Sequence, residues 1–181
     1  KDNFILSKGH AALALYIILK DKKLVSKKEL AKYTKKRSNL EEHPNVSIPS
    51  VVCATGSLGH GLSFANGLGL ANKIKDDNGK IFVILGDGEC NEGTIWEAAL
   101  FASSNKLSNI IAFVDYNKWQ GTGRTNKILN LNPLKKKWES FGWNTYEING
   151  NSIKDILGAI KKIDYKKKDK PNMIIANTIK G

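Results

Sequence analysis

Asp87 and Asn117 are the residues best placed to do chemistry. Each closes an apolar run: Ile81–Leu85 leads through Gly86 to Asp87, and Asn109–Val114 leads through Asp115 and Tyr116 to Asn117. A carboxylate and an amide oxygen, at positions where backbone carbonyls also turn outward, suit a hard divalent cation such as Mg²⁺. Gly88 removes a side chain where a bulky group would have to approach the backbone. The stretch from Thr94 to about Leu107 reads as a helix, whose free N–H groups and positive dipole end suit a phosphate. A metal bridging protein oxygens to a diphosphate satisfies all three features. Taken alone, Gly86-Asp87-Gly88 is equally well a plain turn.

For Asp87 and Asn117 to meet, the two apolar runs must be neighbouring strands. Ile81–Leu85 is wholly apolar, as a parallel strand buried on both faces should be. A helix between two such strands makes a right-handed βαβ unit, which brings both strand ends to one carboxyl edge. The rest of the chain continues this alternation. Phe4–Leu6 is extended, and Ala11–Leu19 is a helix apolar almost all round, hence buried. Ser26 and Glu29 form a capping box for a short helix through Tyr33. Val51–Ala54 reads as a strand, and Leu62–Ile74 as a helix rich in Gly and Ala. Pro133 opens a helix through Phe141, Trp143–Ile148 is a strand, Ser152 caps a helix to about Ile163, and Met173–Thr178 is the last strand. The expectation is an α/β fold: a three-layer domain with a mainly parallel sheet flanked by helices.

Three histidines lie in loops or at helix starts. His10 heads the first helix, where it either caps the turn or presents an imidazole to a phosphate or a transferable proton. His43 is fixed by Pro44 in what reads as a surface turn. His60 sits in Thr55-Gly56-Ser57-Leu58-Gly59-His60-Gly61, a strand–glycine loop–helix passage. The glycine order there is GxxGxG and differs from the GxGxxG of dinucleotide sites.

The stretch GDGECNEGTIWEAALFASSNKLSNIIAFVDYN resembles the transketolase family of thiamine diphosphate enzymes, and in particular the separately encoded amino-terminal subunits of split transketolases. The similarity runs from FILSKGHAALALY to IIANTIKG. It implies a thiamine diphosphate-binding fold over residues 1–181, with the diphosphate held through Mg²⁺ (or Ca²⁺ or Mn²⁺). By resemblance, the metal ligands are Asp87, Asn117 and the backbone carbonyl of Trp119. The cofactor is contacted by His10, Gly56, Leu58, Gly86, Asp87, Gly88, Glu89 and Asn117. His10, in SKGH, and His43, in His-Pro, serve proton transfer and substrate orientation. Glu92, and less strongly Glu97, match acids that the family uses at the contact between subunits. His60 falls where many members have Gln, and Trp119 replaces a smaller apolar residue.

The implied reaction is transfer of a two-carbon ketol unit from a ketose phosphate to an aldose phosphate. A 1-deoxyxylulose phosphate synthase or a 2-oxoacid dehydrogenase subunit shares the GDG…N core and stands as an alternative, as does a binding or regulatory subunit that has lost catalysis. The catalytic glutamate of the family lies on a second, pyrimidine-binding domain. The resemblance therefore implies a dimer or heterotetramer with a carboxyl-terminal partner subunit. The chain begins without Met and stops at Gly181, where members usually continue, so truncation at one or both ends is expected.

Composition agrees with a folded domain: 181 residues, 41% hydrophobic, four tryptophans. The net charge of +12 is spread over Lys20–Arg37, Lys135–Lys137 and Lys161–Lys170 without interleaved aromatics, so no nucleic-acid function is expected. No apolar run reaches membrane-spanning length, and Cys53 and Cys90 have no metal-type spacing. A cytoplasmic location is the corresponding expectation.

Overall fold

A computed structural model describes residues 1–180; Gly181 lies outside the described residues. The sheet contains β1 (Asn3–Leu6), β2 (Ile81–Gly86), β3 (Ile110–Tyr116), β6 (Asn144–Asn149) and β7 (Asn172–Asn177), in the order β1-β2-β3-β7-β6. All neighbouring pairs are parallel. A two-residue hairpin, β4 (Trp119–Gln120) with β5 (Gly123–Arg124), stands apart from it.

Strand periodicity divides the side chains between two layers. Ile81, Val83 and Leu85 face one side with Ala112, Val114, Met173 and Ile175. There they meet α3 (His60–Ile74), α4 (Gly93–Ser104) and α6 (Leu134–Ser140) through Leu62, Ala65, Ala98, Ala99, Ala102 and Trp138. On the opposite face, Leu6 and Ile84 pack with α1 (Ala12–Asp21), and Ile111 and Ile174 pack with α7 (Ile153–Lys162). The three-layer α/β expectation holds. The Ser26 capping box is present, although its helix, α2 (Lys27–Leu30), stops short of Tyr33.

Two expectations are corrected. Val51–Ala54 is no strand. Val51 N–H bonds Ile48 O and Thr55 N–H reaches Pro44 O, so the segment is tied to its own turn and not to the sheet. Of the four residues only Cys53 is buried, while Val51 and Val52 pack against the core from its edge. Helix α1 is buried on one face only, through Ala12, Leu15, Tyr16 and Leu19, whereas Leu13, Ile17 and Ile18 are exposed. High mean apolarity without a polar stripe hid that asymmetry.

The aromatic cluster on α4 and α6 steadies the chemistry-bearing loop. Trp96 lies 5.0 Å from Trp138, ring to ring, and its Nε1 donates to Cys90 O at 2.9 Å. The turn after Asp87 is thereby anchored to the core. Both cysteines are buried and free.

Candidate active site

The β2–α4–β3 crossover places Asp87 and Asn117 at the carboxyl ends of adjacent strands. Asp87 is 1% exposed, and its carboxylate gathers the surrounding loops. Oδ1 accepts from Gly88 N–H at 2.8 Å; Oδ2 accepts from Lys118 N–H at 2.8 Å and from Thr125 Oγ1 at 2.9 Å. Burial pushes the Asp87 carboxyl above its ordinary range, against the pull of Thr125, Gly88 and Lys118. Asn117 Oδ1 accepts from Trp119 N–H at 2.9 Å, and its Nδ2 donates to Asp115 Oδ2 at 3.2 Å.

Asp115 is a second hub. Lys8 Nζ pairs with its Oδ2 at 2.5 Å, and Thr178 Oγ1 donates to its Oδ1. Burial raises this carboxyl, but Lys8, Thr178 and Asn117 outweigh it and hold it below the usual range. Thus the segments that follow β1 and β7 are joined to the last residues of β3 at one carboxylate.

Around these hubs lies a cavity of about 740 Å³. Its walls include Lys8, His10, Leu58, Gly86, Asp87, Gly88, Glu89, Glu92, Asn117, Trp119, Gln120 and Lys180. A larger groove of about 850 Å³ follows β6 and α7, but contains neither Asp87, Asn117 nor a histidine. Gly56 and His43, both expected at the site, are not in the cavity wall. They stand behind it: a Cβ on Gly56 (φ +135°) would lie 2.7 Å from His43 Cδ2, and one on Gly9 would lie 2.7 Å from Gly56 N. The His10, Gly56 and His43 segments are therefore interlocked. Tyr16, fully buried, adds an anchor by donating from its hydroxyl to Glu41 O at 3.0 Å and His43 O at 3.2 Å.

His10 is lowered from its ordinary pKa, first by burial and then by Lys8, His43 and Lys180, with Asp115 opposing. A neutral imidazole at the rim can both accept and donate a proton. His60 begins α3, is exposed, and has Nδ1 3.3 Å from Ser57 O and from Leu58 O. Glu92 is exposed at the start of α4, beside the cavity, and Glu97 is exposed on the same helix. At the rim, Arg124 stacks over the Trp119 ring at 4.2 Å. Sequence reasoning missed Lys8, Asp115, Gln120, Thr125 and Thr178. Lys8 in SKGH, Asp115 in VDYN and Thr178 in IIANTIKG lay inside quoted stretches, but none was singled out.

Among the described residues, no group of three or more His, Cys, Asp or Glu side chains is set to hold a metal. A metal here must instead be held by mixed oxygens: one carboxylate, one carboxamide, backbone carbonyls and those of a bound ligand. That donor set is hard and suits Mg²⁺. Asp87 Oδ1 and Asn117 Oδ1 each accept a single hydrogen bond and retain a lone pair. Gly88 keeps the approach open, since a Cβ there would already lie 2.8 Å from Gln120 Cγ. A parallel α/β sheet with an acid, an amide and a glycine at adjoining strand ends defines a diphosphate- and metal-binding domain.

Residues 1–181 match the transketolase thiamine diphosphate-binding domain, and the chain belongs to the transketolase family. It is 38% identical to one of the subunits of the apulose-4-phosphate transketolase of Phocaeicola vulgatus, covering 100% of this chain and 64% of that protein. It is 40% identical to a 6-deoxy-6-sulfo-D-fructose transketolase subunit from a Clostridium species, again covering 100% of this chain and 66% of the relative. The transketolase structure from Campylobacter jejuni superposes with a TM-score of 0.90 at 33% identity, over 98% of this chain and 29% of that one. The chain thus spans somewhat less than two thirds of the split-subunit relatives. Among the described residues, no helix is long and apolar enough to cross a membrane.

Proposed function

We propose that this chain is the diphosphate- and metal-binding part of a transketolase, which moves a two-carbon ketol unit from a ketose phosphate to an aldose phosphate. The observation that carries this reading is the convergence of Asp87, Asn117 and Trp119 on one cavity at the carboxyl edge of β2 and β3. When bound, thiamine diphosphate supplies the nucleophilic carbon and the electron sink that carbon–carbon cleavage beside a carbonyl needs.

The protein's own part is binding, orientation and proton handling. Asp87, Asn117 and the Trp119 carbonyl would hold Mg²⁺, while Gly86, Gly88 and Leu58 would line the cofactor. Lys8 and Lys180 add positive charge to the same wall. His10, whose pKa is lowered first by burial and then by its cationic neighbours, would accept or donate a proton at the substrate's oxygens. His43, held behind Gly56, would orient a sugar hydroxyl. The sugars named for the relatives carry phosphate or sulfo groups. An anionic sugar is accordingly the substrate class here.

In the family this chain belongs to, the glutamate that activates the aminopyrimidine ring stands on a second domain. We assign that to a pyrimidine-binding partner subunit, in a dimer or heterotetramer. Calorimetric titration of thiamine diphosphate with Mg²⁺, with and without the partner, tests this. Binding should tighten with the partner and vanish in Asp87→Ala. Unchanged binding in Asp87→Ala would overturn the reading.

A further inference from the structure

Glu89 is a buried acid at the border of the cavity, and both of its carboxylate oxygens are committed to protein donors. It is 1% exposed and has no cationic partner among the described residues. Its Oε1 accepts from Ser7 Oγ and from Gly59 N–H at 2.9 Å, and its Oε2 accepts from Gly86 N–H at 3.1 Å. These donors lie on three chain segments far apart in sequence, and each is next to a piece of the cavity wall. Ser7 precedes Lys8 and His10, Gly59 follows Leu58, and Gly86 precedes Asp87.

The packing is tight enough for the carboxylate to transmit position. A Cβ on Gly61 would lie 2.3 Å from Ser7 Oγ, and one on Gly59 would lie 2.2 Å from Thr94 Oγ1. Gly59 also holds φ at +89° as the residue before α3. Ser7 and Lys8 N–H both reach Ile84 O, at 2.9 and 3.3 Å. The three segments therefore have little freedom while the carboxylate is in place.

We propose that Glu89 is a positioning residue that clamps the SKGH, TGSLGHG and GDG segments into the shape that receives the cofactor. This rests on the reading of the cavity as a thiamine diphosphate site. Its carboxylate acts through the Ser7 hydroxyl and the Gly59 and Gly86 backbone N–H groups and touches no ligand. Without the clamp, the ligand must itself order the three segments, and its affinity falls accordingly.

Glu89→Gln is the informative variant because shape is kept and one acceptor is lost. Whichever way the carboxamide turns, its NH₂ faces a backbone N–H, that of Gly86 or that of Gly59. In the full-length protein, hydrogen exchange at the Gly59 or the Gly86 amide, whichever faces the NH₂, should accelerate at least ~10-fold, with the Val114 amide in β3 unchanged. Affinity for thiamine diphosphate with Mg²⁺, measured by calorimetry, should weaken roughly 10–100-fold, as for other residues that orient a metal-binding shell. Ser7→Ala removes a single donor from outside and should give the same pattern more weakly. It decides the matter if Glu89→Gln does not fold. Wild-type exchange and wild-type affinity in the variants would overturn the clamp. If the wild-type protein binds no cofactor, the thiamine diphosphate reading fails, and the exchange rates at Gly59 and Gly86 alone support or overturn the clamp.

Discussion

Replacing Thr125 by valine tests how Asp87 is held. Thr125 opens α5 (Thr125–Ile128) and is 2% exposed. Its Oγ1 donates to Asp87 Oδ2 at 2.9 Å, and its own N–H bonds Lys118 O at 3.1 Å. The Thr125→Val change keeps the volume and the backbone bond while deleting the hydroxyl. A hydrogen bond to a charged acceptor contributes about 1.5–3 kcal/mol. Both partners are almost fully buried, so solvent screening does not discount it. For a domain of this size each kcal/mol moves the melting temperature by about 2–4 °C, giving a fall of roughly 3–12 °C. The loss also frees the loop that carries Asn117 and Trp119, so Mg²⁺-dependent cofactor affinity should fall by about 10–100-fold. Thermal unfolding followed by circular dichroism and calorimetric titration are the assays. Thr125→Ser, which restores the hydroxyl, should recover most of both losses. A Thr125→Val protein with wild-type melting temperature and wild-type affinity would refute the assignment of Thr125 as an anchor of the metal site.

Three further outcomes are expected. Gly56→Ala forces a side chain onto φ +135° and 2.7 Å from His43 Cδ2; strain of order 1–3 kcal/mol should lower the denaturation midpoint and move the His43 ring resonances. Tyr16→Phe removes the hydroxyl that holds Glu41 O and His43 O, and should cost about 0.5–1.5 kcal/mol in urea unfolding. His10 should titrate below 6.5 by NMR, and Lys8→Met should move its midpoint upward by removing a positive neighbour. Because the unfolded histidine binds its proton first, this group lowers stability as pH falls below about 6.5 and has no effect above it. A His10 midpoint at or above the unfolded value would contradict that sign.

The central βαβ unit was legible because its information is local. Ile81–Leu85 is apolar at every position, as a strand covered on both faces must be, and the acid and the amide stand directly beyond the two strands. Val51–Ala54 carries the same β-branched signature and forms no strand. Periodicity reports what a segment buries and not whether a partner strand lies beside it. Here Val51 N–H is bonded back to Ile48 O within its own turn. The hairpin at Trp119–Arg124 was missed for a related reason. Two-residue strands are too short for any alternation to register, and this one is held largely by the Arg124–Trp119 stack and the Thr125–Asp87 bond.

The site divides along the same line. Residues that point at a ligand sit in short glycine-rich motifs, because close approach requires glycine and the ends of strands. Residues that hold those motifs in place need no motif, only an arrival from elsewhere in the chain: Lys8 to Asp115, Thr125 to Asp87, Ser7 to Glu89. Glu89 shows the consequence most directly. Its place inside GDGECNEG marks it as a cofactor contact, yet its two oxygens are engaged by Ser7, Gly59 and Gly86. Proximity in sequence to a binding motif thus identifies the neighbourhood of a residue, whereas its role follows from which way its polar atoms are already committed. Asp87 and Glu89 each accept three hydrogen bonds, so their number does not separate the two acids; we read Asp87, bonded to its own turn and to the Lys118 and Thr125 loop, as the ligand, and Glu89, bonded to Ser7, Gly59 and Gly86, as its support.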